Sequence, residues 1–408
     1  MRLWVYVLRR ILLLLPIIIG VSTVTFVLVS ALPIPDRLTA MYGSPTPRNP
    51  WIYDPTEPCA PPLESQQCYN PTYYHFLNRS GLGQPIPIQW VNYLENIFTF
   101  HWGIVSNFST VAATFPGTGG VPVSTVLSWF LPYTLELVGL SMVILLAIAI
   151  PVGRLAASRR NQPADHAARA LSFSGFAIPT YLFGSILITA AAIAIGSSNG
   201  YFVHTPWCPL GEVSWNEVVG SWPNSLCFSG DQYPVWITSG VISHPTGFPT
   251  VDALLNGAPW LGLDSLLRLV LPALVIAFAH LGLILRYVRN SSLEVMHLDY
   301  VRTARAEGFS EKVVLNRYIG RNSMSLTVTV LAVSFATFFG WLPVAETLFN
   351  LNGVGLMVAL SAQDPVDFAV LTGATLILIF MVVIANVIAD LLVAYLDPRV
   401  RLGETMSV

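Results

Sequence analysis

Six apolar runs, each about as long as a membrane is thick, constrain this chain more than any other feature of its sequence. A helix needs roughly 20 apolar residues to cross the hydrocarbon core of a bilayer. Because backbone groups in lipid must bond within their own segment, we expect these runs to be helical. The runs are Ile11–Leu32, Leu131–Val152, Leu171–Gly196, Leu269–Val288, Met324–Val344 and Phe368–Leu392. The sequence therefore predicts an all-α membrane protein with six transmembrane helices.

The composition of the chain agrees with a membrane protein. Of its 408 residues, 54% are hydrophobic and only 10% are charged, whereas a soluble domain has about 25% charged residues. The formal net charge of −2 argues against a polyanionic partner, so we expect the lipid bilayer as a partner and no nucleic acid.

The first apolar run has two interpretations. Val29-Ser30-Ala31 resembles a cleavage site, and the run follows a basic start, as in a signal peptide. The run is 22 residues long, however, and the apolar region of a signal peptide has only about 7–15 residues. An uncleaved membrane anchor is therefore favoured, and cleavage would not invert the topology of the other runs.

Basic residues collect on alternate sides of the six runs. The N-terminus, the segments 153–170 and 286–322 and the C-terminal tail hold 16 of the 20 Lys and Arg residues. Such residues concentrate in cytoplasmic loops. The sequence therefore predicts a multi-pass protein of the cell membrane with both termini in the cytoplasm.

The domain organisation follows from where the composition changes. Residues 1–32 are the N-terminal segment and first transmembrane helix, 33–124 an extracytoplasmic insert, and 125–408 a core with five transmembrane helices and a second insert at 197–265. Both inserts are rich in Pro, Gly, Trp, Tyr and Asn, which predicts an ordered but irregular cap with turns and short strands.

All four cysteines fall in the two predicted outside segments: Cys59, Cys68, Cys208 and Cys227. An even number of cysteines in an oxidising compartment suggests two disulfides. Pairing within each segment is the simplest arrangement, but three connectivities are possible and four free thiols are an alternative. The tight Cys-x-x-Cys spacing of a zinc site does not occur.

The sequence carries no motif for chemistry of its own. It has no GxxxxGK[ST] phosphate loop, and its only lysine, Lys312, follows Glu311 and not glycine, so no Walker lysine is available. HExxH does not occur, and the GxSxG match, GSSNG at 196–200, follows an apolar run and not the strand that this motif requires. We therefore expect no catalytic residue, no cofactor and no metal, and six spans of this kind are typical of half of a larger pore.

One polar stretch, DYVRTARAEGF at 299–309, stands out from its apolar surroundings. Residues 300–307 can form a short helix along the cytoplasmic face of the membrane. Helical spacing gives it two faces: Val301, Ala304 and Gly308 on one, and Arg302, Arg305 and Phe309 on the other. Small residues allow a partner to approach, and arginines suit salt bridges to a partner's carboxylates. The alternative is an amphipathic helix packed on the membrane surface.

The end of this helix and the start of the next are also predicted. Gly308 can end the helix in a left-handed turn. A second helical run then follows over Ser310–Ile319, with Ser310 as its N-cap.

The run DYVRTARAEGFSEKVVLNRYIGRN resembles the cytoplasmic "EAA" loop of binding-protein-dependent ABC importer permeases, and more narrowly of the dipeptide/oligopeptide permease family. Further stretches match in the same order: VLRRILLLLPIIIGVSTVTFVL, LPYTLELVGLSM, IPVGRLAA, ETLFNLNGVG and IADLLVAYLDPRVRLG. Together these matches extend from the first apolar run to the last.

The resemblance implies a type I ABC importer (MetI-like) permease fold and a non-enzymatic subunit. A second permease subunit would complete a heterodimer, two ABC ATPase subunits would dock inside, and an extracytoplasmic solute-binding protein would deliver a short peptide or an oligosaccharide. The coupling helix would be formed by Tyr300, Arg302, Thr303, Ala304, Arg305, Ala306, Glu307, Gly308 and Phe309. A self-sufficient channel or secondary carrier is the alternative.

The chain departs from the family pattern in three places. Leu326 stands where a proline is usual, and residues 351–356 read LNGVGL where Trp-Pro-Gly-Leu-Gly-Arg is usual. The outside segments are also longer than usual, so the contact with the binding protein is expected to differ.

Four ionisable residues of the apolar runs are candidates for the path or its gate: Glu136, His280, Glu346 and Asp390. An ionised group at the centre of a span costs about 2.5–3.5 kcal/mol on insertion scales, so such groups should face protein or water. Asp390 follows Asn386 by four residues and shares its face. A structural hydrogen-bonding role is the alternative for His280 and Asp390, and a plain acid at the membrane interface is the alternative for Glu136 and Glu346.

Overall fold

The structure, a computed structural model, describes residues 3–35, 37–38, 51–53, 67–69, 71–107, 109–115, 117–195, 246–255, 259–363 and 366–396. Among these residues helices predominate. They are α1 (Leu3–Ser30), α2 (Pro71–Ser80), α3 (Ile86–Phe98), α4 (Thr110–Thr114), α5 (Val123–Ser158), α6 (Pro163–Ala177), α7 (Thr180–Ile195), α8 (Pro249–Leu255), α9 (Pro259–Met296), α10 (Asp299–Ala306), α11 (Glu311–Val313), a π-helix (Val314–Ile319), α12 (Gly320–Phe349), α13 (Val354–Ser361) and α14 (Phe368–Leu396).

Helix α9 is the centre of the molecule. It packs against α5, α12, α6, α7 and α8, and its residues form much of the main hydrophobic core with Phe338 and Phe349 of α12 and Leu145 of α5. Transfer of a side chain of this size from water to the protein interior stabilises the fold by roughly 1.5–3 kcal/mol.

Three helices of the described residues are long and apolar enough to cross a membrane: Val123–Ser158, Ser265–Met296 and Phe368–Ala389. Two bent helix pairs raise the number to as many as five if each pair is one span. The first apolar run lies in α1, where Pro16–Val27 is a shorter apolar helix. Membrane-spanning helices are thus confirmed, and a total of six remains a prediction.

The two bends divide apolar runs that the sequence analysis treated as single spans. The third run breaks between α6 and α7, which are bent by 109°, because Ile178 precedes Pro179 and adopts the extended conformation that proline imposes on its neighbour. The fifth run continues to Phe349 and ends at Asn350, whose left-handed backbone (φ 49°, ψ 48°) is a common helix terminator. Helix α13 then departs at a bend of 74°.

The first outside segment is more regular than its composition suggested. A small antiparallel ribbon, the pair Trp51–Tyr53 and Gln67–Tyr69, agrees with the predicted short strands. The segment also contains the helices α2, α3 and α4, which the sequence analysis missed. Helix α3 packs on α1, where Trp90 Nε1 donates to Thr23 Oγ1 at 3.0 Å.

A second hydrophobic core surrounds the N-terminal part of α5. It joins Val105 and Val111 of the outside segment to Leu127 of α5, Met357 of α13 and Val370 of α14. Val105 and Val111, shortly before α5, are therefore part of the core of the helical bundle.

Candidate functional site

The polar stretch at 299–309 forms helix α10, as predicted, over Asp299–Ala306. Val301 and Ala304 are buried and contact Val314 and Ile319 of the π-helix. The packing of this face against the chain itself leaves the opposite face, with both arginines, directed outwards. Ala304 therefore packs against the chain itself and is not accessible to a partner. The exposed small side chain on this helix is Ala306.

The charged side chains on the outward face of α10 form ion pairs at the protein surface. Arg302 lies 3.5 Å from Asp299, and these side chains are 69% and 97% exposed. Arg305 Nε donates to Glu311 Oε1 at 2.8 Å, also near the surface. Exposed ion pairs stabilise a protein by about 0–1 kcal/mol, so a partner's carboxylate can compete for either guanidinium.

The turn after α10 is the left-handed turn predicted for Gly308, with φ +83°. A Cβ added at Gly308 would meet nothing within 4 Å, so the backbone conformation and not the available space favours glycine here. Thr303, Glu307 and Phe309 are exposed on this side of the molecule.

The second helical run begins after Ser310, but in a form the sequence did not predict. Ser310 occupies the predicted N-cap position with an extended backbone, but its side chain makes no capping hydrogen bond. Three α-helical residues give way to the π-helix Val314–Ile319, which leads directly into α12. Single π turns within α-helices occur frequently at functional sites.

Two contacts attach this region to the membrane helices. Asn322 Nδ2 of α12 donates to the Tyr300 hydroxyl at 2.8 Å. Arg154 Nη2 of α5 donates to the Gly320 carbonyl at 3.2 Å, and a Cβ at Gly320 would lie 3.1 Å from Arg154 Cζ. The small size of Gly320 therefore lets the guanidinium reach the junction between the π-helix and α12.

Glu346 lies at the bend between α12 and α13, fully enclosed by the chain. Its Oε1 accepts from Thr134 Oγ1 of α5 at 2.8 Å, and its Oε2 accepts from Leu356 N at 3.0 Å. The Thr134 hydroxyl in turn accepts from Val354 N at 2.9 Å. The carboxyl group therefore fastens the start of α13 to α5 and α12.

The other end of α13 is held by a carboxylate that the sequence analysis did not single out. Asp367 is buried, and its Oδ1 accepts from Val370 N at 3.1 Å, as an N-cap of α14 does. Its Oδ2 accepts from Ser106 N of the first outside segment at 2.8 Å. The position of Asp367 just before an apolar run was the available sequence signal.

Glu136 of α5 binds helix α8. Its two carboxyl oxygens accept from the Thr250 backbone N–H at 3.0 Å and from the Thr250 hydroxyl at 3.1 Å. Thr250 belongs to α8, so Glu136 of α5 holds α8 against the bundle. Glu136 and Glu346 thus both bind the chain's own helices, and a role for either in a path or gate stays a prediction.

His280 joins α9 to α12 in the middle of the bundle. Its Nε2 lies 2.7 Å from Thr337 Oγ1 and its Nδ1 lies 3.0 Å from the Ile276 carbonyl. Its ring stacks on Phe338 at a centroid distance of 4.2 Å. The imidazole is thus a hydrogen-bonded core side chain.

Some predicted site residues lie outside the described part of the chain. These are the Asp390 side chain and the thiols of Cys59, Cys68, Cys208 and Cys227. The disulfide pairing and the contacts of Asp390 stay predictions. Within the described residues, no three His, Cys, Asp or Glu side chains converge as metal ligands would.

The sequence analysis did not identify a charge cluster that lies between α6 and α9. Asp165 of α6 is completely buried and binds Arg289 of α9 and Arg169 of its own helix. The spacing of Asp165 and Arg169 predicts their pairing, but no local pattern connects Asp165 with a residue 124 positions away.

Comparison with known proteins places the chain among transport proteins. Residues 149–402 match the model of the family described as binding-protein-dependent transport system inner membrane component. The chain is 29% identical over 396 residues to the oligopeptide transport system permease protein AppB of Bacillus subtilis, with 97% of this chain and 99% of that protein covered.

Two further relatives are similar over nearly their whole length. The dipeptide transport system permease protein DppB of Escherichia coli is 28% identical over 402 residues, covering 97% of this chain and 98% of the relative. The di/tripeptide transport system permease protein DppB of Pseudomonas aeruginosa is 27% identical over 406 residues, with the same coverage.

Proposed function

Because the chain belongs to the family of binding-protein-dependent transport system inner membrane components, we propose that it is the transmembrane permease subunit of an ATP-driven importer of short peptides. The subunit is non-catalytic in this proposal, and ATP is hydrolysed in partner subunits.

The observation that carries the proposal is the construction of α10. Its apolar face is buried against the π-helix, and its two arginines are exposed on the opposite side, where each pairs with an exposed carboxylate. A helix fixed on one side and charged on the other suits docking into a cleft of a separate protein. We assign it as the coupling helix that receives the motion of an ABC ATPase.

The remaining partners follow from the same assignment. A second permease subunit completes a heterodimer around the path, two ATPase subunits dock on the cytoplasmic side, and an extracytoplasmic solute-binding protein delivers the solute. The coupling is a free-energy coupling between the nucleotide site and the path, carried by rigid-body motion of helices.

Peptides are the favoured solutes because the relatives are named as oligopeptide, dipeptide and di/tripeptide permeases. Oligosaccharides are a second solute class to test against them. A self-sufficient channel or secondary carrier remains the alternative mechanism, and it predicts transport without ATPase subunits.

The proposal includes six spans, both termini in the cytoplasm, and the division into residues 1–32, the extracytoplasmic insert 33–124 and the permease core 125–408, with its insert at 197–265. Cysteine labelling tests the orientation. A membrane-impermeant reagent added outside should label Gln84→Cys, in the outer segment before α3, and should not label Arg305→Cys until the membrane is opened. The reverse pattern contradicts the topology.

Reconstitution tests the function itself. The permease pair, the ATPase pair and the binding protein are placed in liposomes with labelled dipeptide or tripeptide outside. We expect uptake that requires ATP, both ATPase subunits and the binding protein. Uptake by this chain alone contradicts the proposal and supports the channel or carrier, and uptake of oligosaccharide in place of peptide changes the solute class only.

A further inference from the structure

The charge cluster around Asp165 is the most strongly bonded polar group on the inner side of the described bundle. Arg289 Nε donates to Asp165 Oδ1 at 2.6 Å and its Nη2 donates to Oδ2 at 3.0 Å, a two-bond pairing between α9 and α6. Arg169 Nη2 and the Asn161 backbone N–H also donate to Oδ2. Bidentate Arg–carboxylate pairs fix geometry as well as energy.

Helices α6 and α9 stay in register beyond this pair. Ser172 Oγ donates to the Gly282 carbonyl at 2.7 Å, and Ser172 follows Asp165 by the same seven residues by which Gly282 precedes Arg289. Seven residues are two helical turns. The two helices therefore run antiparallel with matched contacts at two levels of one interface.

The crossing near Ser172 is also tight. A Cβ at Gly282 would clash with the Ser172 carbonyl, and one at Gly175 would lie 3.1 Å from the Phe278 carbonyl and 3.2 Å from Gly282 N. Backbones that approach so closely resist sliding, because any shift of one turn meets the side chains on either side of the glycines.

The contact between α9 and α12 at the same inner end is looser. Ser291 Oγ lies 3.4 Å from Thr327 Oγ1, and Ser292 Oγ lies 3.5 Å from Ser323 Oγ. These are long hydroxyl contacts between neutral groups, at or near the limit of a hydrogen bond. At this end of α9, α6 is thus held by charge and close packing and α12 by long hydroxyl contacts, whereas His280 joins α9 to α12 in the middle of the bundle.

Helix α9 ends at Met296, and the coupling helix α10 begins three residues later at Asp299. We propose that Asp165 and Arg289 are positioning residues that make α6 move with α9 as one body when the coupling helix is displaced, while α12 shifts relative to them. This inference rests on the proposed function as an ATP-driven permease.

A pair of arginine variants separates this role from simple neutralisation of a buried charge. Arg289→Gln removes the link between the helices, whereas Arg169→Gln removes a cation from the same carboxylate within α6 alone. In the complete reconstituted transporter, we expect Arg289→Gln to raise the ATP hydrolysed per peptide imported by about tenfold, within the usual range of coupling between sites. Arg169→Gln should change this ratio by less than about twofold.

The conservative variant sharpens the comparison. Arg289→Lys keeps the charge but loses the two-bond geometry, so its ratio should lie between those of the unmodified protein and Arg289→Gln. Equal ratios for Arg289→Gln and Arg169→Gln overturn the proposal. Asp165 would then require neutralisation by any nearby cation and not a link between α6 and α9.

A distance measurement keeps the proposal testable if Arg289→Gln does not fold. Spin labels at the exposed positions His166 and Asn290 report on α6 and α9, and labels at Asn290 and Arg317 report on α9 and the entry to α12. On binding of ATP to the complete transporter, the second distance should change by at least about 2 Å and the first should not. A change in the first distance as large as that in the second overturns the proposal.

Failure of the proposed function has a different signature. If the unmodified complex imports no peptide with ATP, the permease assignment fails before any variant is compared. If it imports peptide but the two arginine variants behave alike, only the positioning role is lost.

Discussion

The bend around α13 and the proposed coupling helix α10 both contain charged side chains, but these are buried at the bend and exposed on α10. At the bend, Glu346 and Asp367 are buried, and each binds backbone N–H groups of the chain itself. On α10, Arg302 and Arg305 are exposed, and their carboxylate partners lie close by in sequence.

The difference shows how burial separates structural charge from charge that is available to a partner. A buried acceptor that loses its donors costs about 1–3 kcal/mol or more for each unsatisfied group, so the bend is held in one arrangement. An exposed ion pair contributes about 0–1 kcal/mol and can be exchanged for an intermolecular pair. The bend around α13 is therefore fixed by the chain alone, whereas the exposed charges of α10 are available to a binding partner.

The largest effect on stability is expected at Glu346. Glu346→Ala leaves the Thr134 hydroxyl and the Leu356 N–H without their acceptor and should lower the free energy of unfolding by about 3 kcal/mol. Chemical unfolding of the purified protein in detergent, followed by circular dichroism, measures this change. The control Glu307→Ala, on the exposed side of the coupling helix, should shift the free energy by at most about 0.5 kcal/mol. Similar shifts for both variants would contradict the contrast between the two regions.

The next effect is expected at Gly353, where Glu346 lies directly over the backbone. A Cβ at Gly353 would clash with the Glu346 carboxyl group, so Gly353→Ala should destabilise the protein by about 1–3 kcal/mol. Gly340→Ala in α12 is the matched control, because a Cβ there meets nothing within 4 Å and alanine favours a helix by up to about 1 kcal/mol. Unfolding curves of the two variants should therefore move in opposite directions.

A smaller effect on stability, with a larger effect on transport, is expected at Gly308. Gly308→Val forces a β-branched residue into a left-handed turn at a cost of about 1–2 kcal/mol, and it changes the outward surface without any clash inside the chain. We expect ATP hydrolysis to continue while uptake falls, as measured in liposomes with the complete transporter. Gly308→Asn accepts the left-handed conformation more readily and should keep more of the uptake. Unchanged uptake in Gly308→Val would show that the turn has no part in coupling.

The smallest effect on stability is expected at Arg302. Its loose pair with Asp299 predicts a change of less than about 0.5 kcal/mol on substitution by alanine. Binding of the ATPase subunits, measured by co-purification at increasing salt, should nevertheless weaken. If Arg302→Ala destabilises the protein as much as Gly353→Ala does, the arginine belongs to the fold and not to the docking surface.

Patterns within short segments predicted the features that depend on residues close together in the chain, namely helices and a turn. The apolar runs predicted the long helices, and DYVRTARAEGF predicted both α10 and the left-handed turn at Gly308. Helix α3 was missed because its outside segment was interpreted from composition and not from the helical spacing within Ile86–Phe98.

The parts that could not be predicted are contacts between distant positions. Glu346 and Thr134 are 212 residues apart in the chain, and Asp165 and Arg289 are 124 apart. The sequence showed that Glu346 must be satisfied by protein or water, but not by which group. The break at Pro179 was foreseeable as a kink, whereas the size of the bend depends on how α7 packs against α9 and α12.

The π-helix at Val314–Ile319 has a geometric consequence for the joint between α10 and α12. Its turns bond residue i to i+5, one residue more than an α-turn holds, and each residue of an α-helix rotates the chain by about 100° about the axis. Removing one residue from this segment would therefore let the turn tighten and swing Arg305 about a quarter of a revolution around α12. The direction in which Arg305 projects from the axis of α12 thus depends on the number of residues in this segment.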